Sequence, residues 1–359
     1  MAFQDQPPSP AYAEEKLFIE AVGHRIPAAL TLPAGSEPRG AVVIVPGSLY
    51  IDVDGNMPMF NARPHAYADL ARQLASRGYA ALRYAKRGPG TGSEVVDSAA
   101  AAANRTFQSR VVVLEAALEA LRGRLSAGIR VVAAGHSEGA VVASMAAAQG
   151  VPMDGVVILS GPSVGIFGIM REQLPVPPGS PPEAYAAFDR VVAAYHAGDP
   201  APPLDPTDPT LRSLAFVQRQ GEAGVRYMVE IDSVDPAATL ARVTQPVLLV
   251  QGGRDGSVPP HHARALRSAR DAAGLPTGSR YFAELTHFYK VAPEGMDPMA
   301  AFMLETESDP AVADAVVDWM ESERARTPSG PGRREGHAGR AGHSPISGSP
   351  FPNRSGTCP

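Results

Sequence analysis

Apolar positions along this chain fall into two alternating kinds of segment. Short, nearly unbroken apolar runs are followed by longer stretches with a helical period of about 3.6 residues. "AVVIVPG" (41–47), "YAALRYA" (79–85), "IRVVAAG" (129–135), "GVVILSG" (155–161), "PVLLVQG" (246–252) and "SRYFAEL" (279–285) are the runs, and each predicts a strand. Between them, "PHAYADLARQLASRG" (64–78), "VVVLEAALEALRGRL" (111–125), the stretch from Ser137 to about Gln149 and "HHARALRSARDAAG" (261–274) predict helices. A further helix closes the pattern in "DPAVADAVVDWMESERAR", with Asp309 as cap and Pro310 at its first position. Near the start, "KLFIEAVG" and "RIPAALTL" read as a hairpin. Strands that are apolar on both faces, separated by amphipathic helices, predict a mostly parallel sheet covered by helices on both sides.

The alternation breaks between Pro162 and Gln245. That stretch is helical and rich in proline, with "LPVPPGSPP" and "DPAPPLDPTDPT" as connectors. It reads as a helical cap, residues 163–245, inserted after the sixth strand into a core made of residues 15–162 and 246–326. No repeat of 20–50 residues is visible. Residues 1–14 are expected to be a flexible N-terminus. Residues 327–359, rich in Gly, Pro, Ser and Arg, are expected to be a disordered tail, because such a segment cannot bury enough surface to offset its ordering entropy.

Composition narrows the classes of function. The chain has 359 residues, 44% of them hydrophobic, and a formal net charge of −5. No basic bulk favours nucleic acid or an anionic membrane. Its one cysteine is Cys358, which leaves no intrachain disulfide or thiolate metal site. The opening "MAFQDQPPSPAYAEEK" lacks the basic and apolar regions of a secretory signal, and no segment approaches 18 consecutive apolar residues. A soluble, cytoplasmic protein is the expectation, with no cofactor and no metal; oligomeric state is left open.

One short stretch carries chemistry. "GHSEG", Gly135 to Gly139, stands where a predicted strand ends and a helix opens. A serine there can be an ordinary helix cap. In a G-x-S-x-G between strand and helix it can instead be a nucleophile on a sharp turn, displayed above the sheet edge beside a helix N-terminus. Gly135 and Gly139 leave room for the strand and helix to approach. The backbone N–H of Glu138 could then face a developing oxyanion, and the helix dipole favours negative charge there.

A hydroxyl nucleophile needs a base oriented by an acid. In this architecture the order is Ser, acid, His. Asp255 follows "VLLVQGG" and His287 follows the last strand in "AELTHFYK", so both fall in loops at the same sheet edge as Ser137. Glu284 is the rival acid. His261 and His262 are the rival bases, but they fall in the first turn of a helix and are expected to face solvent. His24 lies in the hairpin and His196 in the cap. His136 is expected to line the site without acting as base. The second oxyanion donor is expected from "GSLYIDVDGN" (47–56): the backbone N–H of Ser48, with Leu49 as second choice.

These motifs resemble the α/β-hydrolase superfamily. They are most similar to bacterial esterases whose oxyanion loop reads G-S-G-P-x-D-R-D-G-N, relatives of the dienelactone-hydrolase-like and prolyl-peptidase-like groups. "LRYAKRGPGTGS" (82–93) matches the family's L-R-Y-D-K-R-G-V-G-x-S. The resemblance spans roughly residues 15–325 and implies the α/β-hydrolase fold, with Ser137, Asp255 and His287 as the triad. Here Leu49 and Tyr50 replace Gly-Pro, Val53 replaces an arginine and Ala85 an aspartate. Lys86 and Arg87 read as loop anchors.

The expected reaction is hydrolysis of a carboxylic ester, thioester or lactone of a partly apolar small molecule through an acyl-enzyme. Peptidase or amidase activity, acyl transfer, and a non-hydrolytic binding protein on this fold are the alternatives. Leu49, Tyr50, His136, Phe167, Tyr185, Phe188 and Tyr227 are the candidate pocket residues. Each cap aromatic, with Met170, Tyr195, Phe216 and Met228, can equally belong to the cap's own core. Arg219 and Arg226 could meet an acidic group or simply lie at the surface.

Overall fold

Strands β1 (Tyr12–Ala21) and β2 (His24–Pro33) form the expected hairpin and are antiparallel along their whole length. The computed structural model describes residues 11–177, 179–200 and 203–326. The expectations for residues 1–10 and for the tail lie outside the described residues. The expected flexible start needs shortening, since Tyr12, Ala13 and Glu14 already pair with Pro33, Leu32 and Thr31.

The remaining elements follow as β3 (Ala41–Val45), α1 (Ala66–Ser76), β4 (Ala80–Tyr84), β5 (Glu94–Val95), α2 (Ser98–Ala103), α3 (Ser109–Arg122), β6 (Val131–His136), α4 (Glu138–Ala148) and β7 (Val156–Leu159). After them come α5 (Ile166–Glu172), α6 (Ala186–Ala197), α7 (Arg212–Arg219), α8 (Gly221–Asp232) and α9 (Pro236–Leu240). The chain closes with β8 (Val247–Gly252), α10 (His261–Ala272), β9 (Thr277–Phe282), α11 (Pro298–Phe302) and α12 (Ala311–Arg326).

The sheet order is β1-β2-β4-β3-β6-β7-β8-β9, with the two-residue β5 on β2. From β4 through β9 every pairing is parallel; β1 and β2 make the antiparallel end. The core lies in two layers. Val43, Leu82, Ala133, Ile158 and Leu249 point toward α3, α4 and α10. Their neighbours Val42, Ile44, Val132, Leu159 and Leu248 point toward α1 and α12, where Leu74, Val316 and Trp319 meet them. Alternating sides with apolar residues at both is what makes each strand read as an unbroken apolar run.

Residues 166–232 carry α5 to α8 and a small core of their own, centred on Phe167, Leu174, Phe188, Val191, Tyr195, Leu214 and Val217. α9 lies within the expected insertion, yet it packs on α4 and α10 as part of the main body. Arg270, fully buried on α10, donates to the carbonyls of Leu240 (3.0 Å) and Val243 (2.6 Å) just there. Among the described residues, no helix is long and apolar enough to cross a membrane.

The strands deliver four loops to one edge of the sheet. Gly47–Asn56 follows β3, "GHSEG" joins β6 to α4, and the segments after β8 and β9 carry Asp255 and His287.

Candidate active site

Ser137 stands between β6 and α4 at φ 55° and ψ −124°, a conformation costly for a residue with a Cβ. The surrounding backbone fixes it there. Its N–H donates to the Leu159 carbonyl (2.8 Å), and its own carbonyl accepts from Ala140 (2.9 Å). Both flanking glycines are required by contact. A Cβ on Gly135 would sit 2.3 Å from the Gly139 carbonyl oxygen, and one on Gly139 would sit 2.3 Å from that of Val45. The serine side chain makes no cap hydrogen bond to its helix, so the capping explanation for this residue fails.

Asp255 and His287 come together as expected. His287 Nδ1 lies 2.8 Å from Asp255 Oδ2, and both side chains are buried. The second carboxylate oxygen accepts from the backbone N–H groups of Ser257 (2.9 Å) and Val258 (2.8 Å). Burial alone would raise the Asp255 pKa. The imidazole of His287, the Val258 N–H and the Ser160 hydroxyl outweigh it and hold the carboxyl below its usual range. An ionised Asp255 can accept only, so the proton of His287 that faces it sits on Nδ1, and Nε2 is left as the basic atom.

The base loop is anchored from behind. Lys290 Nζ meets Asp69 Oδ2 of α1 at 2.9 Å, with the lysine side chain fully buried, and the same oxygen accepts from Ser308 N–H at 2.9 Å. Glu284, the rival acid, is exposed and faces Arg254 at 3.8 Å.

On the other side lies the oxyanion loop. A Cβ on Gly47 would meet Ser137 Cβ at 3.2 Å, which measures how closely this loop approaches the nucleophile. The N–H of Gly47 itself donates to the Tyr67 hydroxyl (2.9 Å). Asp52 ties the loop internally by accepting from the N–H groups of Asp54 and Asn56. Arg83 of β4, buried, pins it to the sheet through Asp54 (2.9 Å) and reaches Glu14 (2.7 Å). The Arg83–Asp54 pair fastens the loop to β4.

Glu138 was expected only as a backbone donor, but its side chain has a role too. The buried carboxylate is bonded by Ser48 Oγ (3.1 Å), by Lys86 Nζ (2.9 Å) and by Arg110. Arg110 also donates to the Pro46 carbonyl, so one guanidinium joins the start of α4 to the oxyanion loop. Burial, with Arg110 and Arg87 nearby, pushes the Lys86 ammonium well below its ordinary pKa. Lys86 and Arg110 thus both bring a basic group onto Glu138 beside Ser137. Arg87 anchors α3 through Ser109 Oγ and the Asn104 carbonyl. Nothing in the spacing of Glu138, Lys86 and Arg110 marks this cluster; it exists only once β4, α3 and α4 are packed.

The pocket candidates separate into groups. Phe167 and Phe188 are buried in the cap's own core. An apolar side chain announces burial, not which core it joins. His136 is also buried, behind the triad, with its ring 4.5 Å from that of His287. Tyr185 stacks under Arg171, 3.9 Å from ring centre to guanidinium carbon. Leu49 (φ 64°), Tyr50 and Tyr227 are half-buried, and Tyr227 meets Phe107 edge-on at 6.1 Å. Arg226 is exposed beside Glu222.

Of the rival bases, His261 is exposed, whereas His262 is wholly buried and does not face solvent. Ser163 sends both its hydroxyl (2.8 Å) and its backbone N–H (3.2 Å) toward His262 Nδ1, and Nε2 faces Glu172 at 3.0 Å. Glu172, His261 and His262 bring three ligand-type atoms within 4.8 Å of one another. The backbone N–H can only donate, so His262 Nδ1 accepts and Nε2 carries the proton toward Glu172. Both ring nitrogens are thereby committed to a contact between α5 and α10, and neither offers a lone pair to a metal ion.

No family model matches the chain. It is similar to esterase EstD of Thermotoga maritima, 28% identical over 327 residues, which cover 87% of this chain and 69% of that protein. Among solved structures it is similar to Est1E from Butyrivibrio proteoclasticus (TM-score 0.52, 18% identity, 86% of this chain and 99% of that one). It is also similar to the esterase domain of a Rhodothermus marinus protein (TM-score 0.51, 16% identity, 87% and 98%). An acylaminoacyl peptidase of Pyrococcus horikoshii matches over 87% of this chain and 41% of that one (TM-score 0.51, 14% identity). The chain has the α/β-hydrolase fold, and its similarities run to esterases.

Proposed function

We propose that the protein is a serine hydrolase that cleaves a carboxylic ester through an acyl-enzyme on Ser137. The observation that carries this reading is the meeting of three loops. A serine held at positive φ without a capping bond faces the same sheet edge as a histidine bonded at 2.8 Å to a buried, ionised aspartate.

His287 Nε2 takes the Ser137 proton as Oγ attacks the ester carbonyl, and later gives it to the leaving alcohol. Asp255 fixes the ring by its bond to Nδ1 and stabilises the imidazolium. The carbonyl oxygen gains negative charge and is received by the N–H of Glu138, at the start of α4, and by that of Ser48. A carboxylate one residue from the nucleophile would oppose that charge, and Arg110 offsets it. Water then attacks the acyl-enzyme with His287 as base, releasing the acid and freeing Ser137.

The similarity to esterase EstD supports an ester over an amide as the bond cleaved. Hydrolysis of p-nitrophenyl esters of increasing acyl length tests the reading. A burst of p-nitrophenol equal to the enzyme concentration, followed by slower turnover, is expected for at least one chain length. Turnover that persists in Ser137→Ala would overturn it.

A further inference from the structure

Behind the triad, three loops that the reaction must hold in register meet on one imidazole. Gly47 opens the oxyanion loop, His136 precedes the nucleophile, and His287 is the base. The N–H of Gly47 lies 2.9 Å from the Tyr67 hydroxyl, that hydroxyl lies 3.1 Å from His136 Nδ1, and His136 Nε2 lies 2.9 Å from the carbonyl of His287.

The direction of each bond follows from donor counting. A backbone N–H can only donate, so the Tyr67 oxygen accepts from Gly47. A backbone carbonyl can only accept, so His136 Nε2 carries a proton and donates it to His287. A neutral imidazole with its proton on Nε2 presents a lone pair at Nδ1, which takes the single proton of Tyr67. Every donor and acceptor in the chain is then used once. All four residues are buried, and the flanking rings of Phe288 (5.2 Å) and Tyr289 (6.3 Å) leave the imidazole no alternative partner on that side.

We infer that Tyr67 and His136 are positioning residues: a polarised strut, Gly47 N–H to Tyr67 to His136 to His287 C=O, that sets the distance between the oxyanion loop and the base. The inference rests on the serine-hydrolase reading and adds to it. It touches neither substrate nor the reacting atoms. It acts by holding the Ser48 N–H and the His287 ring in register with Ser137, an alignment in which errors of about an ångström cost about 100-fold in rate. It also commits the Gly47 N–H to Tyr67, which leaves oxyanion duty to the residue after it. A merely space-filling Tyr67 would be replaced by phenylalanine without kinetic consequence.

The test compares Tyr67→Phe, His136→Ala and His136→Gln with the unmodified full chain on a p-nitrophenyl ester. Tyr67→Phe keeps the ring and removes the middle link, stranding two buried partners. It is expected to lower kcat by about 10- to 100-fold with KM changed less than about 2-fold. His136→Gln keeps an amide N–H near the Nε2 position and is expected to recover about 10-fold of the kcat lost in His136→Ala.

A second readout does not depend on any variant folding. In nitrogen-15 spectra of the unmodified protein, His136 is expected to show a protonated Nε2 and an unprotonated Nδ1, unchanged from about pH 5 to about pH 9. Wild-type kcat in Tyr67→Phe, or a His136 that carries its proton on Nδ1, would overturn the strut. Phosphonylation of Ser137 by a fluorophosphonate separates the two levels. If Ser137 is labelled while Tyr67→Phe matches wild type, only the strut fails; if Ser137 is never labelled, the hydrolase reading falls and the strut's catalytic role falls with it.

Discussion

Among the described residues, two sets of serine, histidine and carboxylate differ in burial, in backbone conformation and in the direction of their hydrogen bonds. In one, His287 bonds to Asp255 at 2.8 Å, the carboxylate side chain is fully buried, and Ser137 projects from a backbone turn at φ 55°. In the other, His262 stands between Ser163 at 2.8 Å and Glu172 at 3.0 Å, but the glutamate side chain is 36% exposed and is shared with His261. In the second set the serine and histidine are in hydrogen-bond contact, Ser163 Oγ lying 2.8 Å from His262 Nδ1. What it lacks is a free base: the backbone N–H of Ser163 already occupies His262 Nδ1. It also lacks a helix N-terminus after its serine, because Ser163 precedes α5 by two intervening residues and sits on no elbow. Backbone conformation and the direction of each hydrogen bond separate the set proposed as catalytic from a contact between core and cap.

That comparison breaks or sharpens under mutation. The largest effect is expected at the serines. Ser137→Ala should lower ester turnover by about 10⁴-fold or more, whereas Ser163→Ala should stay within about 3-fold of wild type. Equal losses would erase the distinction. At the acids, Asp255→Asn should cost about 10³- to 10⁴-fold in kcat, since it no longer selects the Nδ1–H tautomer of His287. Glu172→Gln should cost about 2-fold or less, read in the same assay.

Stability should divide along the same line. Asp69→Asn strands the fully buried ammonium of Lys290 under the base loop and should cost about 3–5 kcal/mol in chemical denaturation. Arg171→Ala, which breaks the half-exposed pair with Asp189 in the cap, should cost about 1 kcal/mol or less.

Acid should act on the same region. Burial, with His287 alongside, lowers the His136 pKa from 6.5 to about 3, and His262 is lowered as well, chiefly by burial. Between those values the unfolded chain binds a proton that folded His136 does not. Stability from this group is therefore complete above about pH 6.5 and falls by about 1.4 kcal/mol per unit as pH drops toward 3. His136→Gln should flatten that slope in urea titrations at pH 4 to 6, approximate values set by the same two pKa limits. A slope unchanged by the substitution would mean that other groups carry it.

The sheet, and the placing of Ser137, Asp255 and His287 at one edge of it, were legible in the sequence for a local reason. A strand buried on both faces must be apolar at consecutive positions, and "GHSEG", Asp255 and His287 each stand at the end of such a run. α2 opens after Asp97, whose carboxylate caps Ala99 and Ala100, and α11 opens after Asp297 with Pro298 following. Both carry ordinary start signals, but at 6 and 5 residues they are too short to show a helical period.

The parts around the triad were not legible, because they depend on tertiary approach. Tyr67 meets His136 across 69 residues and Arg110 meets Glu138 across 28, and no periodicity links them. The place of Phe167 and Phe188 in the cap's core was not legible, because hydrophobicity ranks burial without assigning a neighbour. His262, at the start of a helix, was expected in solvent; Ser163 and Glu172 arrive from elsewhere to cover it.

Intact-mass analysis after reaction with a fluorophosphonate tests Ser137 as the nucleophile. One adduct per chain, mapped to the peptide containing Ser137 and absent from Ser137→Ala, is the result predicted. An unlabelled protein, or an adduct that survives in Ser137→Ala or maps to Ser163, would contradict it.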